Sequence, residues 1–108
     1  MAEESIINII KTYLNEIEEQ GIKSPFAVLY GSYLTGTQNM WSDIDIIVVS
    51  ESYDRSLTRA DISTLWKVSA RIDSRIEPIP CGLHQWKTDD SSAIIETARL
   101  MGKTIRAA

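Results

Sequence analysis

The sequence predicts an α/β (α+β) fold, a single domain in which helices pack against a β-sheet. Apolar residues recur at helical spacing near the N-terminus, and a run of branched apolar residues at positions 44–49 is typical of a buried strand. Helical and strand-like segments then alternate towards the C-terminus. With 108 residues, 44% of them hydrophobic, the chain can form one core but not two. We therefore expect one domain over residues 1–108.

Composition and charge narrow the possible partners. Fifteen acidic and eleven basic residues give a net charge of −4 without a basic stripe, so a nucleic acid is not the expected partner. Cys81 is the only cysteine, which excludes an internal disulfide framework. The chain starts with acidic residues, unlike a signal peptide, and no apolar run approaches the roughly 20 residues that span a membrane. These features predict a soluble cytoplasmic protein that does not enter a membrane.

The first third of the chain predicts one helix and one strand. The helix is expected from about Glu4 to Gln20, because apolar residues return every three or four positions and Gly21 supplies a stop. These apolar residues are Ile6, Ile9, Ile10, Tyr13, Leu14 and Ile17. The segment SPFAVLY then predicts a short buried strand that leads directly into Gly31 and Ser32.

The middle of the chain predicts a second strand and a second long helix. A polar segment that could hold a short helix precedes SDIDIIVVS, whose branched residues predict the strand. Thr58 and Asp61 have the spacing of a capping box, so we expect a helix to begin there and to reach about Ile72. Leu65 and Val68 would lie on its apolar face together with Ile72.

The last third predicts a strand, a loop and a helix. The segment SRIEPIP predicts the strand. Pro78 and Pro80 cannot donate backbone hydrogen bonds, so this strand should lie at a sheet edge or end early. We expect a loop from Gly82 to Lys87 and a final helix around Ala93–Met101, with several capping residues before it.

Two aspartates at the start of the second strand are the strongest functional signal. Side chains two residues apart in a strand project the same way, so Asp43 and Asp45 should present adjacent carboxylates that repel each other. Mg²⁺ would remove this repulsion, and it is commonly held by one or two carboxylates together with substrate phosphates. Gly31 allows phosphate to approach the backbone, and Ser32 offers a hydroxyl and a main-chain N–H. The four residues together suit a metal-bound triphosphate, whereas an isolated Asp-x-Asp would more often be a turn or cap.

The segment GSYLTGTQNMWSDIDI resembles the G-S-x(n)-S-D-x-D signature of the nucleotidyltransferase superfamily with a DNA-polymerase-β-like core. The resemblance covers about Phe26–Pro80, and the short chain is similar to the minimal nucleotidyltransferases of that superfamily. It implies a mixed sheet flanked by helices, two metal ions (Mg²⁺ or Mn²⁺), and transfer of a nucleoside monophosphate, AMP from ATP, to a hydroxyl acceptor. Asp43 and Asp45 would then be catalytic metal ligands, and Gly31 and Ser32 would bind the nucleotide.

The resemblance also implies a third carboxylate on a later strand. Asp73 and Glu77 are the candidates in the segment RIDSRIEPIPC. Glu77 lies inside the apolar alternation of the predicted strand, whereas Asp73 ends the preceding helix. We therefore predict Glu77 as the third catalytic and metal-binding residue, which would also help to remove the acceptor's proton.

The resemblance further implies a partner protein. Minimal nucleotidyltransferases are often paired with small helical HEPN proteins as antitoxin and toxin, and this chain resembles the nucleotidyltransferase half, which transfers AMP to its partner. A homodimer mate could cover the nucleotide cleft instead. Thr35 stands where many relatives carry the arginine of a G-S-x-A-R-G pattern, which removes one charge-assisted contact to phosphate. Two alternatives therefore remain open: a catalytically weak subunit that acts by binding its partner, and an enzyme that modifies a small molecule such as an antibiotic.

Overall fold

The structure, a computed structural model, describes residues 4–31 and 43–107 of the chain. Within these ranges it contains five helices and four strands, which confirms the predicted fold class. In chain order they are α1 (Glu4–Glu19), β1 (Phe26–Tyr30), β2 (Ile44–Ser50), α2 (Ser52–Arg55), α3 (Arg59–Ile72), β3 (Ile76–Gly82), α4 (Leu83–Thr88), α5 (Ala93–Met101) and β4 (Lys103–Ile105).

The strands form one mixed sheet in the order β3-β2-β1-β4. β1 pairs antiparallel with both β2 and β4, whereas β2 and β3 run parallel. Parallel neighbours need a crossover connection, and α2 with α3 supplies it. β3 lies at an edge of the sheet, as Pro78 and Pro80 predicted, because an edge strand needs backbone donors on one side only.

The first face of the sheet is the one covered by α1 and α3. Leu65 and Val68 of α3 are buried there, and the buried Tyr13 of α1 donates its hydroxyl to the Leu65 carbonyl at 2.9 Å. This bond ties the two helices together under the sheet. The sheet residues buried on this face are Ala27, Leu29, Ile44, Ile46, Val48 and Ile76.

The second face of the sheet is covered by α4 and α5. Ile95 and Ala98 of α5 are buried there, and the partly buried Trp86 of α4 packs beside them. The sheet residues buried on this face are Val28, Ile47, Val49 and Cys81. Because strand residues alternate between faces, the odd-numbered positions of β2 and β3 project here.

The predicted long helices are confirmed, and their caps explain why they begin where they do. At α3, the Thr58 N–H donates to Asp61 Oδ2 at 2.9 Å and the Asp61 N–H donates to Thr58 Oγ1 at 3.2 Å, which is the predicted capping box. At α5, the Ile95 N–H donates to Ser92 Oγ at 3.3 Å. α1 ends one residue earlier than expected, at Glu19.

The loop predicted from Gly82 to Lys87 is wrong. β3 continues to Gly82, and α4 begins at the next residue. Asp54 of α2 provides the reason, since its carboxylate accepts the His84 N–H at 2.9 Å and the Gln85 N–H at 3.4 Å. The cap of α4 therefore comes from a distant part of the chain. α2 and β4, with four and three residues, are also absent from the prediction.

Across residues 4–31 and 43–107, none of the helices combines the length and the apolar character that crossing a membrane requires. The longest, α1, has 16 residues and buries only one of its sides.

Candidate active site

The predicted carboxylates lie at the end of the sheet where β2 and β3 begin. Asp45 in β2 is the register partner of Glu77 in β3, and on its other side it is the partner of Tyr30 in β1. All three side chains belong to the second face of the sheet, and neighbouring strands lie roughly 4.8 Å apart. Asp43, one residue before β2, is exposed. The structure therefore brings these three carboxyl groups to one corner of the fold.

A backbone hydrogen bond sets this register at the start of the parallel pair. The Ile44 N–H donates to the Arg75 carbonyl at 2.7 Å. Arg75 directly precedes β3, so the first residue of β2 is joined to the turn from which β3 begins. This bond places Asp45 level with Glu77.

The three carboxyl groups interact with one another. The negative charges of Asp45 and Asp43 both act on the Glu77 carboxyl group. Desolvation by burial raises the pKa of Glu77, and the negative charges of Asp43 and Asp45 raise it further. The pKa of Glu77 therefore lies above the usual range of a glutamate.

Asp45 is subject to the same forces. Desolvation is the main cause that raises the pKa of Asp45, and the charge of Asp43 adds to it, while the hydrogen bond from Glu77 opposes them. The net direction is upward. The raised pKa values of Asp45 and Glu77 show that their charged forms are poorly stabilised, so a cation placed between the two carboxylates would stabilise them.

Gly31 makes room for Asp45. Its φ angle is +83°, in the left-handed region that glycine adopts without strain. A Cβ atom at this position would lie 2.5 Å from Asp45 Oδ2, well inside van der Waals contact. The space that the missing side chain leaves is thus taken by the carboxylate, which fixes the position of Asp45 against the end of β1.

Asp73, the other candidate for the third carboxylate, is engaged in the turn between α3 and β3. Its Oδ1 accepts the Arg75 backbone N–H at 2.9 Å and Nε–H at 3.1 Å, and its Oδ2 accepts from the Arg75 guanidinium at 2.8 Å. These hydrogen bonds lower the pKa of Asp73. Asp73 therefore stabilises the turn before β3, whereas Glu77 lies beside Asp45.

The donor set suits a divalent cation held together with phosphate. In the described ranges, no group of three or more His, Cys, Asp or Glu side chains is arranged to hold a metal ion by itself. Mg²⁺ does not require such a cage, because it usually binds one or two carboxylates and completes its coordination with water and substrate phosphates. Carboxylate oxygens are its preferred ligands, and Asp43, Asp45 and Glu77 supply them at one corner of the fold. The residues present therefore fit Mg²⁺ or Mn²⁺.

Tyr30 is a residue of this corner that the sequence analysis missed. Its ring is half-buried, and desolvation, aided by the charges of Asp45 and Glu77, raises its pKa to about 12. The hydroxyl therefore stays protonated at neutral pH and is able to donate a hydrogen bond. Its position directly before Gly31 was a signal, but its pairing with Asp45 depends on a strand that is distant along the chain.

Two predicted features fall on residues 32–42, outside the described residues. They are the nucleotide-binding role of Ser32 and the short helix expected between the first two strands. Thr35, the departure from the G-S-x-A-R-G pattern, also belongs to this segment.

A cavity of about 630 Å³ lies at the other end of the sheet. Lys23, Glu51 and Arg55 are among the residues that line it. Glu51 follows the last residue of β2, whereas Asp45 lies near the beginning of that strand. The cavity is therefore separate from the carboxylate corner.

Comparisons with known proteins place the chain among known folds. The model of a family described as nucleotidyltransferase domain matches residues 7–92. A solved structure described as a toxin-antitoxin with AMP-PNP is 22% identical in sequence and superposes with a TM-score of 0.59. The match covers 91% of this chain and 73% of the other, and it shows that the two share a fold. No curated protein sequence gives a significant match.

Proposed function

Since the chain belongs to the nucleotidyltransferase-domain family, we propose that it is a metal-dependent enzyme that transfers AMP from ATP to a hydroxyl group of a partner protein. The observation that carries the proposal is the pairing of Asp45 with Glu77 on one face of the sheet, close enough to Asp43 for its charge to act on Glu77. The protein acceptor is supported by the shared fold with a toxin-antitoxin complex that was crystallised with AMP-PNP, an analogue of ATP.

Each residue of the corner has a role in this proposal. Asp43, Asp45 and Glu77 would hold the metal ions, and Gly31 and Ser32 would bind the triphosphate. When bound, the metal ions would supply positive charge that neutralises the phosphates and orients the reacting oxygens. The partner protein would be a small helical protein of the HEPN type, and it would cover the cleft from which water must be excluded.

The reaction is an in-line displacement at the α-phosphorus. The acceptor oxygen forms a bond to the α-phosphorus while the bond to the α–β bridging oxygen breaks, and the electron pair leaves with pyrophosphate. The hydroxyl proton passes to the carboxylate of Glu77. Because burial and the neighbouring charges raise the pKa of Glu77, it is a stronger base than an ordinary glutamate. Tyr30 lies beside the Asp45 and Glu77 carboxyl groups, and its protonated hydroxyl would be able to donate to a phosphate bound there.

Thr35 favours a second candidate function, that of a catalytically weak subunit that acts by binding its partner. Thr35 replaces the arginine that many nucleotidyltransferases of this type carry, so the triphosphate loses a charge-assisted hydrogen bond. A catalytically weak subunit that acts by binding its partner would keep the fold and the partner contact but would transfer little AMP.

The decisive experiment is co-expression with the product of the adjacent gene. The purified complex is incubated with ATP and Mg²⁺ and analysed by size-exclusion chromatography and intact mass spectrometry. A mass increase of the partner that matches AMP, absent with Asp43→Asn/Asp45→Asn, supports the enzyme. A stable complex without modification supports the binding subunit. Pyrophosphate release without protein modification would instead indicate a small-molecule acceptor, and a chain that neither binds nor releases pyrophosphate would contradict both proposals.

A further inference from the structure

The outward side of α3 exposes a line of apolar side chains. Leu57, just before the helix, is 46% exposed, Ile62 is 39% exposed and Trp66 is 46% exposed. Ile62 and Trp66 are one helical turn apart, and the small, exposed Ala70 follows one turn later on the same side. These four residues form the α3 stripe. Large exposed apolar residues that adjoin one another are typical of an interaction surface, and tryptophan is enriched in such surfaces.

The α3 stripe lies in a basic part of an acidic chain. The range Arg55–Arg71 contains four basic residues and one acidic residue, although the whole chain contains eleven basic and fifteen acidic residues. The single acid, Asp61, accepts the Thr58 N–H at 2.9 Å and so caps its own helix. Basic residues therefore outnumber acidic ones in the segment that carries the stripe, whereas the whole chain is acidic.

Three of these cations have no partner within the part of the chain that the structure describes. Arg55, Arg59 and Lys67 form no ion pair there, whereas Arg71 pairs with Glu16 at 3.1 Å. An interface that buries the stripe would bring carboxylates on the other protein within range of these cations.

We propose that the α3 stripe is the docking surface for a partner protein that presents an apolar helical surface flanked by carboxylates. The proposal deepens the proposed function, because this partner is the protein that accepts AMP. α3 packs on the first face of the sheet and the carboxylate corner belongs to the second. Docking on the stripe would anchor the partner, and a separate part of the same partner would cover the carboxylate corner.

A second copy of this chain fits the stripe less well. Two stripes packed against each other would place Arg55, Arg59 and Lys67 near the same cations of the mate, and like charges across an interface are unfavourable. Nucleic acid fits poorly too, since the aliphatic Leu57 and Ile62 gain nothing against phosphates and the net charge of −4 repels them.

α5 offers a surface for comparison. Ile94 is 47% exposed, and Leu100 and Met101 are more exposed still. The cation on this helix, Arg99, is already engaged. It donates to the Trp86 carbonyl at 2.8 Å and to the Asp89 carbonyl at 2.7 Å. Ile94 is therefore a suitable control position. Its side chain is as exposed as that of Trp66, but it lies outside the segment that carries the unpaired cations.

The test measures the affinity of the purified chain for the product of the adjacent gene. Trp66→Ala and Ile62→Ser should each weaken binding about tenfold or more, as truncation of a buried interface residue does. The control Ile94→Ser should stay within about twofold, because it lies outside the docking surface. Lys67→Glu should slow association and reduce its dependence on salt. Unchanged melting temperatures confirm that all variants are folded.

The outcomes separate the docking surface from the catalytic proposal. Binding that depends on the stripe, without AMP transfer, would support the surface and contradict the transferase. Transfer of AMP by Trp66→Ala and Ile62→Ser complexes of undiminished affinity would overturn the surface and leave the transferase standing. Failure to bind the adjacent gene product, self-association that Trp66→Ala abolishes, or preferential binding of an RNA oligonucleotide would each overturn the docking proposal.

Discussion

Asp45 lies directly opposite Glu77 where β2 and β3 run parallel, and both side chains project from the same face of the sheet. The same pairing that completes the sheet therefore assembles two carboxyl groups from distant parts of the chain. In their charged forms they repel each other, and Asp43 adds to this repulsion. Their proximity costs stability unless a proton or a cation lies between them.

A metal-bound nucleotide should stabilise the fold through this corner. ATP with Mg²⁺ or Mn²⁺ should raise the melting temperature, with a gain of about 2.7 kcal/mol at roughly 100 times the dissociation constant. Asp43→Asn/Asp45→Asn should abolish the shift because it removes two ligands. Without ligand, this variant should melt no lower than the wild type, since it also removes repulsion. Differential scanning fluorimetry checks both expectations, and a wild type that shows no shift at millimolar nucleotide would contradict the metal site.

Removing the charge of Glu77 should reduce catalysis, whereas removing the charge of Asp73 should reduce only stability. Glu77→Gln should lower AMP transfer by about 100-fold or more, as expected for a general base, while nucleotide binding persists. Asp73→Asn is the matched control, because it removes a nearby carboxylate that is hydrogen-bonded to Arg75. It should retain transfer and lose only stability. A labelled-nucleotide assay in which Asp73→Asn is the inactive variant would show that the third ligand was assigned wrongly.

Features that depend on residues close together in the sequence were predicted correctly, whereas features that depend on residues far apart in the chain were missed. α3 was predicted because its capping box, Thr58 with Asp61, lies within its own sequence. α4 was missed because its cap, Asp54, is supplied from α2. The candidate site divides in the same way. The spacing of the two aspartates is local, whereas the position of Tyr30 beside them arises from antiparallel pairing that no local pattern encodes.

Gly31 should be required for the position of Asp45 and not only for the backbone turn. Gly31→Ala should cost about 1–2 kcal/mol for a left-handed alanine and should also displace the Asp45 carboxylate. Gly21→Ala is the matched control, since Gly21 has a φ of +94° but nothing within 4 Å of an added Cβ. Both variants should lose stability, but only Gly31→Ala should lose the stabilisation by ATP and Mg²⁺. Equal ligand shifts in both variants would contradict the proposed role of Gly31.

Asp73 should make the stability of the protein depend on pH in the acidic range. Its hydrogen bonds with Arg75 hold the pKa of Asp73 below its usual range in the folded state. A lowered folded pKa means that the stabilisation is complete above the unfolded pKa of about 3.9 and is lost as the pH falls through the folded value. At neutral pH, Asp73→Asn should therefore reduce the free energy of unfolding by about 1–2 kcal/mol, a range that allows for the partial exposure of the pair. Urea unfolding between pH 7 and pH 2 should show the wild type and Asp73→Asn converging at the acidic end, whereas a constant difference across this range would mean that the carboxylate acts through its shape and not through its charge.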